Sequence, residues 1–108
     1  KFDVSALRTA ADQMLELTAA LGARGAGGDV EGMLGHSADF LEAMSLVVVG
    51  WVWVKISNAA GTREDDFAKW LRSAAEYWLR TEVTRVPALV KLCESGERSY
   101  LDLRDEWL

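Results

Sequence analysis

Residues 46–54 read LVVVGWVWV: nine apolar positions in succession, five of them valine and two tryptophan. Such a run is a buried strand, a membrane segment or the centre of a buried helix, and the choice decides the fold. Just upstream, ADFLEAM (38–44) sets Phe40, Leu41 and Met44 on one helical face, with Asp39 and Glu42 on the other. No turn signal separates the two stretches, and Gly50 is a single isolated glycine, so a strand would lack its boundary. A membrane-crossing helix needs about 20 apolar residues. Glu42 and Lys55 confine this run to 43–54, and Ser45 interrupts it. The pattern therefore predicts a long helix over 29–60, apolar all round at its centre and buried on most sides. Burying one Val or Leu is worth roughly 1.5–3 kcal/mol. That outweighs the cost of β-branched residues in a helix, at most about 0.7 kcal/mol each. On this reading Val48→Asp abolishes folding by burying an unpaired charge. Trp51 and Trp53 lie about 200° apart on the helix, so at least one meets something beyond a single neighbouring helix.

The flanking segments are also helical. Over 3–23, Leu7, Met14 and Leu21 recur every seven residues beside Val4, Ala11 and Leu15, with Arg8, Asp12, Gln13 and Glu16 turned outward. Asp3 or Ser5 suits its first turn. RGAGGD (24–29) breaks that helix, and Asp29 suits the next N-cap. Gly61 suits a C-terminal cap for the second helix, and Thr62 an N-cap for the third, with Glu64, Asp65 and Asp66 in its first turn. A stripe of Phe67, Trp70, Leu71, Ala74, Tyr77, Trp78 and Thr81 continues through Val83, Val86 and Val90 to Cys93. It predicts helix over 63–95, kinked or split at Pro87 near Arg85. Gly96 ends that element, and the 97–108 tail is expected as a short helix or an irregular arm. The expected fold is all-α: one domain over 1–108, an antiparallel bundle of three to four helices.

Charge and composition narrow the function. Seventeen Asp and Glu against twelve Lys and Arg argue against nucleic acid and against an anionic membrane surface, each of which calls for clustered basic residues. A lone cysteine, Cys93, excludes an internal disulfide framework and suits a reducing, cytoplasmic setting. The chain opens on Lys1 without a leader pattern, as an excised domain would. Chemistry is sparse. His36 is the single histidine and lacks the Glu-x-x-His spacing of di-iron bundles. Cys93 has no histidine beside it in sequence and reads as a structural thiol. Glycines 22, 25, 27 and 28 do not spell a dinucleotide fingerprint. Glu64, Asp65 and Asp66 read as first-turn anions, and the tryptophans as core or interface. No catalytic, cofactor-binding or metal-binding residue is assigned.

The order of elements carries a resemblance. ADFLEAMSLVVVGWVWVKISNAA, then DDFAKWLRSAAEYWLRTEVTRVPALVKLCESG, resembles the acetyl-CoA-dehydrogenase C-terminal-like domain, a C-terminal extension of bacterial acyl-CoA dehydrogenases. The likeness spans about 4–96. Its most specific pieces are Gly50–Trp51–Val52–Trp53 and the spacing from Phe67 and Tyr77–Trp78 to Pro87 and Gly96. The resemblance implies a non-catalytic helical domain of an FAD-dependent flavoprotein of fatty acid metabolism, contributing packing, oligomer contacts or part of the acyl channel. In such enzymes the carboxylate base and most FAD contacts lie in upstream domains, so no family catalytic residue carries over, and no cofactor is expected here. The implied partner is the upstream dehydrogenase core or a same-chain homo-oligomer. The alternative is a stand-alone interaction or oligomerisation module. A small enzyme in its own right lacks a nucleophile–base or metal constellation.

Overall fold

The computed structural model describes residues 3–108. Its first element, α1, covers Ser5–Ala26. It starts where the Asp3 carboxylate accepts the Ser5 N–H at 2.8 Å. It runs a turn beyond the expected end, through Gly25, where Met33 fills the space a side chain would need. The chain breaks instead at Gly27 and at Gly28, whose φ of 96° favours glycine.

The helix expected over 29–60 is two helices. α2 spans Val30–Leu34, capped by Asp29, which accepts the Gly32 N–H at 3.0 Å; α3 spans Ser37–Ala60. Between them His36 turns out of the helical region, at φ −120° and ψ 36°, while the Ser37 hydroxyl donates to the Leu34 carbonyl at 2.6 Å. Gly32 and Gly35 make continuous helix costly here, and a side-chain donor replaces one lost ladder bond. α3 closes at Gly61, with φ 58°.

α4 covers Asp66–Arg80. Its N-cap is Asp65, accepting the Ala68 N–H at 3.3 Å, and not Thr62. The expected split near Pro87 is a 3-10 turn at Glu82–Arg85, after which α5 covers Val86–Ser95 with Pro87 in its first turn. There proline loses no helical hydrogen bond and its fixed φ suits the start. Gly96, at φ 62°, ends α5. The tail holds two 3-10 turns, Ser99–Asp102 and Asp105–Trp107, and no strand occurs among the described residues. The molecule is all-α.

Pairings fix the topology. Val4 lies by Val54 and Ser57, and Leu21 by Phe40, so α1 and α3 are antiparallel. Trp53 meets Trp70, and the Trp78 indole donates to the Leu46 carbonyl at 3.3 Å, so α3 and α4 are antiparallel too. The core gathers Leu7, Ala10, Met14 and Leu17 of α1 against Ala43, Leu46 and Val47 of α3, closed by Leu79, Val83, Val86, Val90 and Cys93. Gly50 lies at the crossing. A side chain there would sit 2.9 Å from Leu7 Cδ1, 3.4 Å from Val83 Cγ2 and 3.6 Å from Leu79 Cδ2. The arginines lock the ends. Arg24 donates to the Cys93 and Glu94 carbonyls at the end of α5, and Arg72 to those of Gly61 and Arg63 after α3.

The chain is flat. Its extents are 62 × 33 × 15 Å and its radius of gyration is 18.1 Å, against about 13 Å for a compact domain of this length. The flatness overturns one expectation. α3 is buried along one side only, through Ala43, Leu46, Val47 and Gly50. Val48, expected inside, is 48% exposed. A chain of four long helices in a slab lacks a layer to lay on the far side of α3.

Candidate functional site

The far side of α3 is the feature that asks for an explanation. Leu41, Ser45, Val48, Val52, Lys55 and Ala59 follow one another at steps of four, three, four, three and four, and all are exposed. That spacing draws one straight seam along a helix, the pattern by which helices pack on helices. Val49 and Trp51 widen it to either side. An amphipathic helix would place polar residues there; this one presents valines.

α4 continues the surface. Phe67, Trp70, Ala74 and Tyr77 also follow helical spacing, but Trp70 is 58% and Tyr77 68% exposed. The sequence pattern gave the tryptophans as core or interface; the structure buries Ala68, Ala75 and Leu79, packs Trp78 against the core, and turns Phe67, Trp70 and Tyr77 outward. The aromatics hold one another in place. Phe67 stacks on Trp70 at 6.2 Å between centroids, and Trp53 meets Trp70 edge-on at 6.5 Å. Trp53 thus joins the two seams into one open face, while Trp51 points to the other edge of α3.

That other edge borders a groove between α1 and α3, of about 450 Å³, walled by Val4, Leu7, Ala11, Val47, Val48 and Trp51, with Arg8 its one charged residue among those described. Lys55 stands over the Trp51 ring at 4.6 Å.

By length and composition α3 could cross a membrane, with a mean hydropathy of 1.6 over its most apolar 18 residues. Its neighbours speak against that use. α1 and α4 lie alongside it with Asp12, Glu16, Lys69 and Arg80 outward, and a span would carry those charges into hydrocarbon.

The residues singled out for chemistry are engaged structurally. Both ring nitrogens of His36 face acceptors: Nδ1 lies 3.0 Å from Asp39 Oδ2 and Nε2 lies 2.7 Å from the Glu97 carbonyl oxygen. Only the imidazolium donates to both, so the Asp39 carboxylate above all, with the Glu97 carbonyl, raises the His36 pKa. This bridge ties the tail to the start of α3. An Arg98–Asp29 ion pair at 3.0 Å reinforces it, and the Gly32 N–H, aided by Arg98, holds the Asp29 carboxyl below its usual range. Cys93 does come near His36, but its Sγ sits 3.7 Å from the His36 carbonyl oxygen, not from the ring. Burial, with Asp39 beyond it, pushes the thiol pKa up, which disfavours the nucleophilic thiolate. Asp65 caps α4 and pairs with Arg63 at 2.9 Å; Glu64 lies near Lys69 and Arg72. Among the described residues no three His, Cys, Asp or Glu gather as metal ligands.

The open α3–α4 face was legible as a surplus. α3 has apolar residues on every side, more than a bundle this small can cover.

Comparison with known proteins gives one match. The family described as acetyl-CoA dehydrogenase C-terminal like matches residues 3–104. No curated protein and no solved structure matches the chain.

Proposed function

Because the chain belongs to the acetyl-CoA dehydrogenase C-terminal-like family, we propose that it is a non-catalytic assembly module of an FAD-dependent, cytoplasmic acyl-CoA dehydrogenase of fatty acid metabolism. Its open α3–α4 face is covered in the assembled enzyme. The observation that carries this reading is the continuous apolar surface of Val48, Val49, Val52, Phe67, Trp70 and Tyr77. Contiguous exposed apolar surface of this kind marks an interface. The residues here do not fit a flavin themselves. Among the described residues the α1–α3 groove offers Arg8 as its only charged lining residue, and nothing arranged for a pyrophosphate. FAD is accordingly assigned to the upstream dehydrogenase core, where it would serve as hydride acceptor.

Deleting residues 3–104 from the parent enzyme tests the reading. The truncated enzyme should keep its yellow flavin but lose thermal stability or assembled mass. Unchanged mass and melting would contradict the reading, as would a 108-residue chain that purifies yellow. A second reading, that the domain walls part of the acyl channel, is favoured by the apolar α1–α3 groove. Ala11→Trp, which fills that groove, should then shift the preferred acyl length of the parent without changing its assembly. An unchanged preference would remove this reading.

A further inference from the structure

We propose that a second copy of this chain covers the open face, with α3 paired antiparallel on α3 about Gly50; the inference rests on the reading above that this face is buried in the assembled enzyme.

Self-pairing of one helix requires a seam that matches itself when reversed, the isologous condition. The α3 seam does. Turned about residue 50, Val48 meets Val52 of the second copy, Leu41 meets Ala59, and Ser45 meets Lys55. Apolar faces apolar, large faces small, and the two polar positions face each other. No like charges meet along the seam. The acids beside it, Glu42 and Glu76, are already paired within the chain with Arg85 and Arg80.

A second observation fixes the same axis independently. Trp53 touches Trp70, and Trp78 bonds Leu46, so residue numbers at one level of α3 and α4 add to 123 or 124. Residue 50 is therefore level with 73 and 74 of α4. The exposed aromatics Trp70 and Tyr77 are centred on that same level. One twofold axis thus centres both stripes and sets Trp70 opposite Tyr77 of the second copy. α3 and α4 of the two chains then close a four-helix bundle, the layer that each chain lacks.

The surface area agrees. The chain exposes 7329 Å², whereas a folded monomer of 11.9 kDa exposes about 5,900 Å². The excess, roughly 1,400 Å², exceeds the ~800 Å² each partner gives to an ordinary stable interface.

Light scattering on the eluting 108-residue chain at about 10–100 µM should give twice the 11.9 kDa chain mass. Val52→Asp should weaken the dimer at least about 100-fold while leaving helicity unchanged. Positions 41 and 59 lie about 27 Å apart within one helix, so the paired variant Leu41→Cys with Ala59→Cys should oxidise to a covalent dimer, and neither single variant should. A chain that stays monomeric over this range overturns the inference. So does a dimer indifferent to Val52→Asp, or a pair of cysteines that does not cross-link. A monomer that binds separately produced dehydrogenase core also overturns it, yet leaves the proposed function standing.

Discussion

The two sides of α3 are built from the same residue types and meet opposite fates. On the inner side Ala43, Leu46, Val47 and Gly50 sit under α1, α4 and the turn at Val83. On the outer side Leu41, Val48, Val49 and Val52 are exposed, Val48 at the rim of the α1–α3 groove. Val47 is 9% exposed and its neighbour Val48 is 48% exposed. Hydrophobicity says that a side wants covering; it does not say by which chain. The inner side is the stability of this chain, and the outer side is its capacity to associate.

The comparison extends to α1, where it can be broken most sharply. Leu17 is 2% exposed and Leu15 is 71% exposed. Leu17→Ala should cost about 2–5 kcal/mol in urea unfolding through lost burial and a cavity. Leu15→Ala should move stability by less than about 0.5 kcal/mol. Equal losses would mean the inner and outer sides are not distinct. Gly50→Leu forces side-chain atoms against Leu7, Val83 and Leu79, and should cost about 1–3 kcal/mol. A melting temperature unchanged by it would show that α1 does not cross so closely. Asp65→Ala removes the α4 cap and should cost about 1 kcal/mol. An unchanged denaturation midpoint would contradict the cap.

The smallest effect is pH-dependent. The His36 pKa is raised above the ordinary 6.5 by Asp39 first and the Glu97 carbonyl second. A raised histidine pKa gives stability that is fully present below 6.5 and fades as pH rises through the higher folded value. Amide exchange around Glu97–Leu101 should therefore quicken as pH rises through that window, beyond the intrinsic rate increase. His36→Ala should abolish the excess. Exchange that keeps the same excess in the variant would exclude the bridge.

Much of the fold was legible because its signals are local. Gly61 and Gly96 close helices as their flexibility suggests, and the break falls ahead of Pro87, in the turn at Glu82–Arg85, so that the proline lies in the first turn of α5 where its missing N–H costs no ladder bond. The junction at His36 was harder. Its signal, Gly32 and Gly35, was visible, but the stop depends on the Ser37 hydroxyl and on a tail some sixty residues away. The open face was misread for a related reason. Val48 lies on an apolar stripe of ordinary helical period, and periodicity reports that a stripe will be buried without naming the molecule that buries it. The absence of a readable chemistry has a simple counterpart, since His36, Cys93 and Asp65 are all spent on holding helices together.

The most direct test sets two neighbouring residues side by side. Val47→Asp and Val48→Asp place the same charge on adjacent positions of one helix, and circular dichroism during heating reports whether each chain folds. Val47→Asp should lose its cooperative transition, because burying an unpaired carboxylate costs about 4 kcal/mol or more. Val48→Asp should fold and melt cooperatively. If both variants unfold, or both fold, α3 does not have one covered and one open side.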